Sequence, residues 1–389
     1  MRVLHLAPPP VTPDRITAHS FIDEEIAALR RAGVECLTLD ASAAGDWRQR
    51  AAALAFAGRH APGLPAACAA TPRSMLHAMR MEWMAARLVR TACVDVVHSH
   101  FGWPAGFGGA IAARAAGVPL VASLRGMDLL TAPEIGYGLR LDRTYDAAIA
   151  RLLRCATRTV YATEYMRARG IDAGAPADRT VVVRKGVDLL RFRPAADREA
   201  ARIAVGVHGP MILAVGSLSP RKNLRLVLDA LARLRDRPWT FVIGGEGAER
   251  DALARQAAAL AMADRVRFAG PIGRERIGDY FSAADLFVHA AVMEAAGNVI
   301  LEALAGGCPI VCTDAGGPTE YVRDGETGFV VRSGDAGTMA ERIGQLLDSA
   351  ALRRRMAQSA RASAEREFAY ARMIADYRQV YDDAASSRL

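Results

Sequence analysis

Two glutamates, Glu294 and Glu302, stand eight residues apart in the stretch MEAAGNVILEALAGGCPIVCTDAGGPTE (293–320). Glu294 falls in a loop after an apolar run, and Ala295, Ala296 and Gly297 are small enough for a ligand to approach the backbone. Asn298 has the side chain of a good N-cap, and Val299 to Ala305 read as a short helix closed by Gly306 and Gly307. A small-residue loop running into a helix N-terminus offers N–H groups and the positive end of the helix dipole, which suit a phosphate. Glu302, one turn into the helix, only accepts hydrogen bonds and suits a pair of ribose hydroxyls. An ordinary surface helix carrying two solvated glutamates accounts for the same residues equally well.

The basic residues add a second signal. The 389-residue chain has 50 Lys and Arg against 42 Asp and Glu, a net charge of +8 that favours anionic partners. Only Lys185 and Lys222 are lysines; the other 48 are arginines. A coding bias toward arginine explains most of this, and two lysines surviving by chance is the plain account. A lysine also offers a compact point charge that arginine does not. His98 and His100 lie on one face at a strand end, a spacing open to a metal, but no third ligand stands nearby in sequence. A structural or acceptor-binding role fits them better, His100 above all. His5 and His289 sit inside apolar strands and read as core residues.

These residues need a scaffold, and the chain alternates apolar β-type runs with helical periods, the pattern of parallel sheets covered by helices. Strands are expected at 1–7, 34–39, 94–100, 119–124, 158–163 and 180–186, with a helix over 16–33. The run 192–210 carries no strong period and reads as a linker. Beyond it, strands are expected at 211–217, 241–245, 265–270, 285–290 and 308–313, a helix over 223–235, and an Arg-rich helical end over 351–383. Two doubly wound sheets would leave a cleft at the carboxyl ends of their strands, where ligands bind in open α/β sheets.

Composition excludes other classes. At 51% hydrophobic and 24% charged residues the chain is globular rather than disordered. No apolar run approaches the ~18 residues of a spanning helix, and no signal peptide is expected. The six cysteines are scattered without a CxxC pair, which suits free thiols in a cytoplasm. No P-loop, GxSxG or HExxH element is present.

The wording GNVILEALA between the two glutamates, with GGPTE after them, resembles the EX7E signature of retaining, family-4-type glycosyltransferases of the GT-B fold. VHSHFGWPAG (97–106), GVPLVASLRGMD (117–128), GVDLLRFRP (186–194), VGSLSPRKNL (215–224), IGGEG (243–247) and FAGPIGRERIGDYFSAADLFVHA (268–290) extend the resemblance along nearly the whole chain, in order. EAAGNVILEA is similar to the lipopolysaccharide core glucosyltransferases of that group. The resemblance implies two Rossmann-like domains, an acceptor-binding one over 1–194 and a nucleotide-sugar-binding one over 195–365, with 366–389 a helix crossing back onto the first.

Carried over residue by residue, it implies that Glu302 holds the donor ribose and Glu294 faces the donor sugar. Asn298, Val299 and Ile300 would present N–H groups to sugar and diphosphate, beside Gly297. Lys222 would neutralise the leaving diphosphate, with Gly216 and Ser217 also at the donor and Ile272 near the base. His100, Arg125 and Asp128 fall on the acceptor side. The chain departs from the pattern in five places. Ser217 stands where the family has Arg, a charge Arg221 could supply. Ala295-Ala296 replaces Gly-Phe, and Ala290-Ala291 replaces Pro-Ser. Arg125 stands where many relatives carry His. The loop APPPVTPD (7–14) also lacks the usual glycine pair.

The implied reaction moves a hexose from a UDP- or GDP-linked sugar to a glycan or lipid-linked acceptor in surface polysaccharide or lipopolysaccharide synthesis. No cofactor or metal is expected, since no DxD is present to hold one and Lys222, Arg221 and helix N–H groups can do that work. A nucleotide-sugar epimerase of the same fold is one rival, and a non-catalytic basic module for membrane or nucleic acid is another. Aromatics at 6% and arginines spread along the chain fit nucleic acid poorly. Residues 46–92 carry seven arginines against two acids, and 75–92 can form a helix with Trp83 on one side and Arg80, Arg87 and Arg90 on the other. Such a helix suits the inner face of an anionic membrane, and a domain helix with a solvated basic face suits it as well. The expected location is cytoplasmic, with a peripheral membrane position beside it.

Overall fold

The computed structural model describes residues 1–7, 20–39 and 83–387. They form two compact units, Met1–Arg184 with Met373–Leu389, and Lys185–Arg372. The first contains strands β1 (Arg2–Leu6), β2 (Glu35–Thr38), β3 (Val96–His100), β4 (Leu120–Ser123), β5 (Arg158–Tyr161) and β6 (Thr180–Val182), in spatial order β2-β1-β3-β4-β5-β6. The second contains β7 (Met211–Val215), β8 (Thr240–Gly244), β9 (Val266–Gly270), β10 (Leu286–His289), β11 (Ile310–Thr313) and β12 (Gly328–Val331), in order β12-β11-β10-β7-β8-β9. All pairings are parallel. Helices cover such sheets on both faces, so central strands read as unbroken apolar runs; β3, β4, β10 and β11 are buried at every position.

The boundaries differ from the sequence reading. Residues 185–194 join the second unit, because Val187 N donates to Phe368 O at 2.8 Å and the Phe192 ring packs edge-on against Phe281. The expected linker holds a helix, Arg198–Ala204, capped by Asp197 and tied down by Arg202 to Asp285 at 2.8 Å. The helical end is two helices, Ala350–Glu367 and Tyr370–Ser386, and the second belongs to the first unit from Met373 onward. Strand β12 was not expected. Its GFVV is a four-residue edge strand, and Gly328 lies so close to the Ile310 carbonyl that a Cβ would come within 2.2 Å.

The helix expected over 16–33 is described as Ser20–Arg31; the earlier part, and the loop 7–14 beyond Ala7, lie outside the described residues. So do 46–82 of the basic segment. Residues 83–91 are helical, with Ala85, Ala86 and Val89 buried and Arg87 and Arg90 exposed, so this part turns its small apolar side into the fold. Among the described residues no helix is long and apolar enough to cross a membrane.

Candidate functional site

Three loops at the carboxyl ends of β7, β10 and β11 meet in the second unit. Val292 N donates to Arg221 O at 3.0 Å, Glu294 N to Ala315 O at 2.8 Å, and Gly317 N to Glu294 O at 3.1 Å. The first of these contacts brings the Glu294 side chain, which is buried, beside the short turn Pro220–Lys222. Lys222 Nζ makes a short ion pair with Glu294 Oε2. Arg221 Nη1 reaches the same oxygen at 3.0 Å and the Met293 carbonyl at 3.1 Å. His289 Nε2 stands 3.5 Å from that oxygen, and Ala295 N donates to Oε1 at 3.2 Å. Two cationic side chains thus converge on one carboxylate oxygen, with the His289 ring beside them.

Burial pushes the Glu294 carboxyl up, but Lys222, His289 and Arg221 outweigh it and hold it well below the usual carboxylate range. Burial pulls the Lys222 ammonium below its ordinary value against the opposing pull of Glu294. Burial, then Lys222, lowers His289. Two cations and a neutral imidazole thus face the Glu294 carboxylate, donors that a phosphate can also use.

A cavity beside Lys222 is lined by Gly216, Ser217, Gly244, His289 and Ala290. Ile272 packs on Gly244 so closely that a Cβ there would meet Ile272 Cδ1 at 2.4 Å; only glycine lets this side chain reach the end of β8. The helix after Glu294 runs Asn298–Ala305. Its N-cap is Gly297, at φ 77°, and not Asn298, which is the first helical residue and makes no side-chain cap. Glycine stands there because that backbone is left-handed. The N–H groups of Asn298 and Val299 have no acceptor within the helix. Ile300 differs from the expectation, since its N–H bonds the Gly297 carbonyl at 2.9 Å and its side chain is fully buried. Glu302 lies one turn in and is half-buried. Arg361 Nη1 donates to Ala305 O at 2.8 Å and steadies the far end of the helix.

In the first unit the expected acceptor-side residues are internal. Arg125 forms a bidentate pair with Glu25 at 2.8 and 2.6 Å, and its Nη2 donates to His100 Nδ1 at 2.7 Å. Burial works against the Arg125 charge, and Glu25 outweighs it and raises the pKa. Asp128, fully buried, accepts N–H groups of Gly102, Arg125 and Gly126 at 2.8–3.1 Å, so it shapes the loop rather than facing outward. Its carboxyl is raised by burial against those donors.

His5, read as a core residue, joins His98 and His100. The β1–β3 pairing sets His5 opposite His98, and the ring nitrogens of the three lie within 4.8 Å, a spacing a metal could use. Hydrogen bonds account for them differently. Arg125 only donates, so His100 Nδ1 accepts and its Nε2–H donates to His5 Nδ1 at 3.1 Å. His98 bonds the Tyr381 hydroxyl and Ser123 Oγ, both at 2.8 Å. A guanidinium in contact with the set disfavours a cation. Lys185, buried at the start of the second unit, is not among the residues brought to Glu294.

The fold is shared with solved proteins. HepE of Anabaena, in complex with UDP, superposes with a TM-score of 0.75 at 24% identity, covering 98% of this chain and all of that one. The sucrose-phosphate synthase of Thermosynechococcus elongatus gives 0.79 at 19% identity, covering 100% of both chains. These define the GT-B class. The model of Glycosyltransferase Family 4 matches residues 18–191, and that of Glycosyl transferases group 1 matches 197–363. A D-inositol 3-phosphate glycosyltransferase of Streptomyces coelicolor is 31% identical over 326 residues, 75% of this chain and 70% of that one. Its counterpart in Streptomyces scabiei is 35% identical over 290 residues, 70% of this chain. The chain spans 64% of the length of that Streptomyces scabiei relative and 63% of one from Catenulispora acidiphila. The chain belongs to the family-4-type glycosyltransferases of the GT-B fold.

Proposed function

We propose that the chain transfers a hexose from a nucleotide-diphosphate sugar to a hydroxyl acceptor, with retention at the anomeric carbon. The convergence of Lys222 and Arg221 on Glu294, beside the N-terminus of Asn298–Ala305, carries this reading. As the bond from the sugar to the diphosphate breaks, negative charge builds on the leaving oxygen. Lys222, Arg221 and the N–H groups of Asn298 and Val299 stabilise that charge. The acceptor oxygen forms the new bond to the anomeric carbon on the same face, and its proton passes to the departing phosphate, so no protein base is required. Glu302 takes the ribose hydroxyls, Ile272 borders the base, Gly216 and Ser217 line the phosphates, and Glu294 turns to the sugar. UDP is the favoured carrier, since HepE is described in complex with UDP-glucose.

The acceptor reading is a glycan or glycolipid of a surface polysaccharide or lipopolysaccharide. The names of the relatives favour a second reading, a phosphorylated polyol of the inositol 3-phosphate kind. In both, His100, Arg125 and Asp128 act by shaping the first unit. The site acts without metal, in the cytoplasm, with exposed arginines such as Arg87 and Arg90 drawing the protein to an anionic membrane surface. Flotation with anionic liposomes, weakening as salt rises, tests that attraction.

UDP release from UDP-hexoses, with each acceptor class and excess EDTA, tests the reaction. Acceptor-dependent release that survives EDTA supports it. Restoration only by Mn²⁺ or Mg²⁺ contradicts the metal-free mechanism, and a free sugar isomer formed without acceptor points to an epimerase.

A further inference from the structure

We propose that His289 is a positioning residue of this site, whose Nε2 holds the Glu294 carboxylate when a nucleoside diphosphate draws Lys222 away. The proposal rests on the donor-site reading above. His289 ends β10 behind Leu286, Phe287 and Val288, all buried, and is itself 4% exposed. Its Nε2 lies 3.5 Å from Lys222 Nζ and from Glu294 Oε2. Its Nδ1 is buried with no hydrogen-bond partner. An unsatisfied buried nitrogen is a cost that a leucine at the same place would not carry. Packing therefore does not account for the histidine, and what it supplies is Nε2.

Nε2 can accept from Lys222 or donate to Glu294, and the proposal takes the tautomer with the proton on Nε2. In that tautomer an Nε2–H directed at Oε2 adds a donor to the oxygen on which Lys222 and Arg221 converge. At 3.5 Å this contact is long for a hydrogen bond, because Lys222 occupies the nearer position. Lys222, Arg221 and Glu294 are the charged groups acting on the ring. A diphosphate competes with Glu294 for Lys222. As the ammonium shifts, Oε2 loses its nearest donor, and His289 stands behind it to close the gap. Without that donor the carboxylate keeps Lys222, and phosphate binding weakens.

The experiment titrates wild type, His289→Leu, His289→Gln and His289→Asn with UDP and uridine, and with GDP and guanosine, following the tighter pair. His289→Leu lowers affinity for the diphosphate about 3- to 10-fold while the bare nucleoside changes less than about twofold. Gln, whose amide nitrogen reaches the place of Nε2, restores binding; Asn, whose nitrogen matches Nδ1, does not. Unchanged diphosphate binding in His289→Leu overturns the proposal, as does equal loss of diphosphate and nucleoside, or Gln no better than Asn. If the leucine variant fails to fold, the Gln–Asn comparison decides alone. If wild type binds neither diphosphate, the donor-site reading falls and the proposal with it, an outcome distinct from failure of His289 alone.

Discussion

The Lys222 ammonium and the Glu294 carboxylate, 72 residues apart in sequence, meet on the same oxygen that Arg221 contacts at 3.0 Å. The carboxylate thus stands as a rival to any phosphate that needs these cations. Glu294→Gln keeps the shape and removes the charge. It should tighten nucleoside diphosphate binding by about fivefold, the equivalent of roughly 1 kcal/mol, while slowing transfer at least about tenfold. Calorimetric titration beside a turnover assay checks both, and weaker diphosphate binding would contradict the competition.

The Glu25–Arg125 pair is buried, with side chains 6% and 5% exposed. Removing one partner takes from the other buried charge its bidentate counter-ion, so Glu25→Leu or Arg125→Met alone should cost about 3–5 kcal/mol. The double variant should cost clearly less than the sum of the two. Urea unfolding of the three proteins gives the comparison, and additive losses would mean that the charges do not depend on each other.

Burial, opposed by Glu25, lowers His5 from 6.5 to about 3. A folded-state pKa below the unfolded one means that the unfolded chain takes up the proton first. The contribution to stability is complete above about pH 6.5 and is lost as pH falls toward 3. At pH 5 the loss is about 2 kcal/mol from this one group. Unfolding free energy measured between pH 7 and 5 should fall less steeply in His5→Leu than in wild type; parallel slopes would contradict this.

Asp128 accepts backbone N–H groups from Gly102, Arg125 and Gly126. Asp128→Ala strands these buried donors and should cost about 3 kcal/mol or more. Asp128→Asn, which keeps one acceptor oxygen, should lose less. Thermal melts of both variants test the order, and equal losses would show that the oxygens are not what holds the loop.

The six strands of the first sheet and five of the second were legible as apolar runs bounded by glycine, proline or polar residues. Strand β12 was not, because GFVV owes its pairing to the close approach of Gly328 to Ile310. The helix Arg198–Ala204 was hidden for a related reason: its tie, Arg202 to Asp285, spans 83 residues. In the site, residue type and spacing drew attention to Glu294 and Lys222 but fitted a solvated surface helix equally well; their roles, and that of Arg221, came from the family resemblance. His289 was not legible, since it closes an apolar strand and looks like core. Its place at the carboxyl end of β10, where open α/β sheets bind ligands, was the signal available. His5 likewise meets His100 only through the strand order β1-β3, which local sequence does not state.

Lys222 carries the central claim, that this unit holds the diphosphate of a nucleotide sugar. A charge-assisted contact between a buried lysine and phosphate is worth roughly 1.5–3 kcal/mol, or about 10- to 150-fold in affinity. Isothermal titration of UDP and GDP into wild type, Lys222→Ala, Lys222→Arg and Lys185→Ala measures it directly. The account predicts a loss of that size in Lys222→Ala, partial recovery in Lys222→Arg because the planar fork needs more room, and little change in Lys185→Ala. Intact diphosphate binding in Lys222→Ala, with binding crippled in Lys185→Ala, would contradict it.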